Sequence, residues 1–385
     1  MMDLSWPLVI FVAWVAGEFV HRWTRLPRIS VYGLVGFLSA HAQLGLLPAS
    51  GGYRLNLAAN VAFGLILFEF GYRINLRWLL INRWIGLTAL LESVSTFAVV
   101  YGVARLFDLS VTTSMLLSAL TMSTSPAALM RVVNEQRSSG QVTERALHLT
   151  AFNCLLAVFV YKVILGFWVF QSSGSLFQAV WSSLVVLVFS IGLGAVFGVA
   201  VPGLLRSQGS AGRDSTIAFA LSVALLVVLT HAYKFSPVLA TLTFGFVAKY
   251  RRVSFSQTQR NFGTLGDLLT IVLFVFVATT LEWKHVTAGA GLALVVVAAR
   301  LVVKTVSVGM LAQLSGISWR KGILTGIALS PISVFVILIL EQTRNMGIDL
   351  VDTLAPLAAV TLILEIVGPI FTQQALIFAG EAPET

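Results

Sequence analysis

Cysteine is almost absent from this sequence: one residue, Cys154, in 385 positions excludes an intrachain disulfide framework. Charge is scarce as well. Asp, Glu, Lys and Arg make up 11% of the chain against 57% hydrophobic residues, and a mean hydropathy of +0.91 lies outside the range of soluble domains. Signatures of catalysis are missing. There is no HExxH, no GxSxG and no aspartate pair, and His21, His41, His148, His231 and His285 are scattered singly. No enzyme activity, metal or cofactor is therefore expected. Long polar connections are missing too: no loop exceeds roughly fifteen residues, and the tail after Ala379 reads GEAPET, so no soluble nucleotide-binding or regulatory domain is expected.

What the chain has in abundance is apolar runs long enough to cross a ~30 Å hydrocarbon core. Thirteen are expected, near 6–22, 30–47, 57–73, 84–107, 112–132, 145–170, 176–205, 215–233, 235–250, 265–281, 286–311, 320–341 and 353–378. The short ninth and the long seventh leave a count of twelve open. The first run has no basic stretch before it and no small-residue cleavage site after it, so it reads as a retained helix. The fold class is an all-α polytopic membrane protein.

The net charge of +9 acquires its meaning from its distribution. Seventeen of the twenty-five basic residues fall in alternate loops, from Arg22, Arg25 and Arg28 to Arg320 and Lys321, and only five in the other set: Arg54, Arg105, Lys234, Lys284 and Arg344. By the positive-inside bias the richer set is cytoplasmic, which puts the N-terminus outside and the C-terminus inside. The excess positive charge thus reports topology and attraction to the lipid bilayer rather than a nucleic-acid partner. A bacterial inner (plasma) membrane is the expected location.

Two of these runs are interrupted. TMSTSPAALM, residues 121–130, places Thr124, Ser125 and Pro126 inside an apolar span, and TGIALSPISVFVI repeats the pattern with Ser330, Pro331 and Ser333. Proline removes a backbone donor and breaks the helix, and lipid does not tolerate the carbonyls so freed; protein or a hydrated cavity must receive them. The two spans are the fifth and the twelfth, seven places apart in the series, and so run in opposite directions. That is the arrangement of an inverted-topology repeat, whose discontinuous helices meet at a midplane transport site. Counting depth at about 1.5 Å per residue brings Asn153 and Cys154, Arg300 and Glu365 close to the level of Ser125, with Lys304 one turn nearer the cytoplasm. Ionisable groups at that depth cost at least ~2.5 kcal/mol each on insertion scales, so they face the bundle interior and need partners. Glu92 and Glu365 are the carboxylates available; Glu18 and Glu69 lie nearer the helix ends, beside Arg22 and Arg73, and Lys162 lies in the outer half.

Several stretches resemble one family. GEFVHRWTRLPRISVYGLVGFLSAHAQLGLLP, LILFEFGYRINLRWLL, and ALTMSTSPAALMRVVNEQ followed by ALHLTAFNCLLAVFVY are similar, in order and spacing, to the membrane domain of the cation:proton antiporter 2 family. The resemblance implies a thirteen-helix antiporter fold, with a core near 84–170 and 286–378 sliding against a panel near 6–73 and 176–281 through which two copies form a homodimer. It also implies that protons and a monovalent cation, or another small solute, are the transported species. Where the family carries two acidic residues, or asparagine followed by aspartate, this chain has Asn153 and Cys154. A buried thiol stays protonated and cannot replace a carboxylate. Lys304 corresponds to the lysine that pairs with the family's aspartate, and Arg300 lies one turn before it.

Three functions follow as expectations: a secondary transporter with altered coupling chemistry, a transport-inactive antiporter fold serving as a scaffold for a protein partner, or an uncoupled facilitator that draws anions to Arg300 and Lys304. The missing aspartate leaves Arg300 in need of a carboxylate, for which Glu365 is the residue at similar depth. Lys304 then bonds carbonyls of the broken helices or serves as the proton carrier itself.

Overall fold

A computed structural model describes residues 4–48, 52–169, 176–207, 215–251, 256–338 and 354–382. Among the described residues fifteen α-helices follow one another: α1 (Ser5–Thr24), α2 (Arg28–Ser39), α3 (Gly52–Arg73), α4 (Leu76–Ile81), α5 (Trp84–Leu106), α6 (Val111–Thr121), α7 (Pro126–Glu135) and α8 (Gln141–Ile164). A π-helical turn, Leu165–Val169, continues α8. The rest are α9 (Leu176–Ser207), α10 (Ser215–Ala232), α11 (Pro237–Lys249), α12 (Ser256–Thr279), α13 (Trp283–Met310), α14 (Trp319–Ala328) and α15 (Ala355–Phe378). Among the described residues seven spans are long and apolar enough to cross a membrane, and four more apolar helices are shorter. The protein is an integral membrane protein.

Serine and proline set the starts of several helices. Ser125 accepts a hydrogen bond from Ala128 N ahead of Pro126, and Ser236 accepts one from Leu239 N ahead of Pro237. In both cases the serine side chain satisfies an amide that the first turn leaves without a carbonyl, and proline occupies the position where no donor is needed. Ser110 and Ser318 cap α6 and α14 in the same way. The span expected at 112–132 is therefore two helices, with residues 122–125 non-helical between them. The span expected at 320–341 is also broken: α14 stops at Ala328 and helix resumes over 335–338, while its last residues lie outside those described. The six-residue α4 was not among the expected spans.

The helices form two compact units. One contains α1, α2, α4 to α8, α12 from Phe274 onward, and α13 to α15; the other contains α3, the π-helical turn, α9 to α11, and α12 up to Leu273. In the second unit α11 lies between α3 and α9. Gly245 lets the backbones of α11 and α3 touch, since a Cβ there would stand 1.9 Å from Phe68 O. Beside it Phe68 and Phe244 pack edge to face with ring centroids 4.7 Å apart, and Phe219 closes the cluster. In the first unit α13 is the central helix, in contact with α5, α14 and α15. Gly326 seats α14 on it: a Cβ at that position would lie 2.5 Å from Thr305 Cα and 2.8 Å from Lys304 O.

Candidate functional site

The two breaks meet. Ser125 N donates to Pro331 O at 3.0 Å and Thr124 Oγ1 donates to Leu329 O at 3.3 Å, so the chain between α6 and α7 is bonded to the chain that follows α14. Thr124, Ser125, Pro126, Ser330, Pro331 and Ser333 are all buried there. This is the crossing of two discontinuous helices expected from the paired proline motifs.

Arg300 is fixed at the crossing by backbone alone. Its Nε donates to Thr121 O at 2.8 Å, one terminal nitrogen to Ser330 O, and the other to Ser123 O at 2.7 Å, with Leu329 O and Pro331 O at 3.4 and 3.3 Å. Thr121 ends α6, and the other carbonyls lie in the non-helical chain just past the C-terminal ends of α6 and α14, where no further helical turn supplies amides and the helix dipoles are negative. One planar guanidinium therefore ties both half-helices together. The expected pairing of Arg300 with Glu365 is not formed. The open carbonyls of two broken helices use the donors of Arg300, and no carboxylate is required.

The carboxylate goes to Lys304 instead. Its Nζ forms an ion pair with Glu92 Oε1 of α5, and donates to Met122 O at 3.0 Å and to Thr124 Oγ1 at 3.3 Å. Three donors thus have three acceptors, in a place where both side chains are fully buried. Thr124 Oγ1 is equally saturated: it accepts from Lys304 and, at 3.2 Å, from Asn153 Nδ2, and gives its proton to Leu329 O. Ser93 Oγ lies 3.0 Å from Asn153 Oδ1 and 3.4 Å from Glu92 Oε2, and its single proton serves the nearer acceptor. Cys154 Sγ donates to Thr124 O at 3.2 Å. Glu92, Ser93, Asn153, Thr124 and Lys304 therefore form one continuous network across α5, α8, the first break and α13.

Of the residues singled out from the sequence, Thr124, Ser125, Asn153, Cys154, Arg300, Lys304, Ser330 and Ser333 are brought together. Glu365 is buried but stands apart, on the face of α15 turned to α2, against Gly33. Lys162 lies eight residues beyond Cys154 on α8, outside the network. Glu69 pairs with Arg73 at 3.6 Å, whereas Glu18 is bonded by Arg28 at 3.1 Å rather than by Arg22. Ser93 was not singled out, although a hydroxyl next to a mid-helix carboxylate in an apolar span was the signal for it.

The transmembrane model of the sodium/hydrogen exchangers matches residues 8–377. Two structures of the sodium proton antiporter MjNhaP1 from Methanocaldococcus jannaschii share the fold. One, at pH 8, has a TM-score of 0.76 at 16% identity, with 98% of each chain covered. The other, from electron microscopy, has a TM-score of 0.73 at 17% identity, with 96% of this chain and 95% of that one covered. Comparison with curated proteins gives no match. With a break in each of two spans bonded across one crossing, and a family model spanning nearly its whole length, the chain belongs to the sodium/hydrogen exchanger family of transmembrane proteins.

Proposed function

We propose that the protein exchanges a monovalent cation for a proton, and that the Glu92–Lys304 pair carries the coupling that an aspartate at position 154 would otherwise carry. The observation behind this reading is the ion pair of Lys304 with Glu92, fully buried beside both helix breaks. The ammonium and a small cation compete for the same carboxylate. When Lys304 gives a proton to water, the N–H bond breaks, the neutral amine no longer holds Glu92, and the cation takes its place among oxygen ligands. The reverse step restores the ion pair. Asn153, Thr124 and Ser93 line the place as neutral groups, Cys154 contributes no charge, and Arg300 keeps the half-helices in register without titrating.

On the same reading the core is formed by the helices near 84–170 and 286–378 and the panel by those near 6–73 and 176–281, with two copies joined through the panel. The N-terminus faces outside and the C-terminus the cytoplasm of a bacterial cell. A scaffold without transport is the second reading, favoured by the neutral thiol at position 154 and by the saturation of Lys304, Thr124 and Asn153 with internal partners.

Proteoliposomes loaded with a pH-sensitive dye separate the two. Imposed gradients of sodium, potassium or lithium, but not of anions, are expected to change internal pH. Lys304→Gln abolishes that response and Cys154→Ser leaves it largely intact. Flux that survives Lys304→Gln makes the lysine structural, and a parent protein inert under every gradient establishes the scaffold.

A further inference from the structure

The seam between α2 and α15 holds a row of buried side-chain oxygens without a hydrogen-bond partner among the described residues. Two contacts show that the helices run antiparallel along it: Gln373 Nε2 donates to Arg25 O at 2.8 Å, and a Cβ on Gly33 would lie 3.2 Å from Glu365 Cγ. Ser30 therefore lies about one turn from Glu365 toward the Gln373 end, and Thr361 about one turn the other way. Thr361 Oγ1, both carboxylate oxygens of Glu365, Ser30 Oγ and Gln373 Oε1 are buried without a hydrogen-bond partner among the described residues. Pro369 adds to the row, because it has no N–H to give to the carbonyl of Glu365 four residues earlier.

Several unclaimed oxygens in line are unusual in a protein interior, where buried polar atoms find partners or ordered water. An ionised carboxylate with neither donor nor counter-ion is too costly to bury, so a group in this position is neutral. The cations on neighbouring helices are already engaged: Arg28 by Glu18 and Glu135, Lys304 by Glu92, Arg300 by the carbonyls of the breaks, and Arg131 of α7 in an interaction of its own. Hydroxyls accept and donate at once, as a proton relay requires.

We propose that Glu365 is a second proton-binding site, outside the crossing, reached from the Gln373 end of the seam past Ser30. The bound proton sits in a carboxyl O–H bond. On release that bond breaks and the proton passes to water in the seam or to the Ser30 hydroxyl, which hands on its own; no other bond changes. The site also bears on the crossing. Three residues beyond Glu365, a Cβ on Gly368 would lie 2.7 Å from Pro331 Cα, so α15 rests directly on one of the breaks.

Infrared spectroscopy of the full chain in lipid nanodiscs tests this without any transport assay, so its outcome is independent of the exchange reading. At neutral pH the parent should show the C=O stretch of a protonated carboxyl, shifted to lower frequency in D2O and removed by Glu365→Gln. Should that variant fail to fold, Glu365→Asp and Gly33→Ala, whose added methyl lies against the carboxyl, should each move the same band. A spectrum in which none of these substitutions alters a protonated-carboxyl band overturns the site. A band that stays unshifted in D2O overturns the relay.

Discussion

Lys304 and Arg300 lie one turn apart on the same helix and are stabilised by different means. Arginine keeps its charge and is held by carbonyl dipoles; lysine is held by a carboxylate whose loss leaves it stranded. Glu92→Gln should therefore destabilise the protein by about 3–5 kcal/mol, read as a fall in the thermal unfolding midpoint in detergent. The double substitution Glu92→Leu with Lys304→Met should recover most of that loss, because it removes both charges together. This pair was legible in the sequence only in part. Counted at about 1.5 Å per residue from Trp84, the start of α5, and from Met310, the end of α13, Glu92 and Lys304 lie about 12 and 9 Å along their helices, close enough in level to have been paired. Glu365 drew attention because it shares the depth of Arg300, but depth does not specify which face of α15 carries it. That face is turned to Gly33 of α2.

At the scale of the helix, the two breaks were legible because proline acts locally: it removes an amide and ends a helix whatever surrounds it. How the freed carbonyls are satisfied was not legible, since their partner, Arg300, is about 180 residues from Thr121 in sequence. The same holds at the start of α8, the helix that carries Asn153 and Cys154. Glu381 accepts hydrogen bonds there from Val142 N and Thr143 N, both at 2.8 Å, and from Thr143 Oγ1 at 2.9 Å. A carboxylate on the first amides of a helix both caps it and opposes its dipole. Glu381→Ala should cost about 1 kcal/mol and lower the unfolding midpoint, while Glu381→Asp recovers part of the loss. The six residues of α4 escaped notice for a different reason: LRWLLI is too short to show a period of its own.

Across the whole molecule, the distribution of charge carries the proposed orientation, and the single native cysteine is buried, so labelling starts from a clean background. With cysteine introduced at Arg320, a membrane-impermeant maleimide should react only after the cells are opened; with cysteine at Lys284 it should react in intact cells. The reverse pattern inverts the topology. Hydrophobic length made the all-helical membrane class legible and the proline repeat made the antiporter architecture legible, because both rest on what lipid forbids. The coupling chemistry depends on which side chains meet across four elements. It is tested most directly by reconstituting the parent and Glu92→Gln side by side in proteoliposomes and recording internal pH as a sodium gradient is applied. If the Glu92–Lys304 pair carries the exchange, the parent shifts internal pH and the Glu92→Gln vesicles, at equal protein content, do not. A Glu92→Gln protein that drives the pH change at the parental rate contradicts the account.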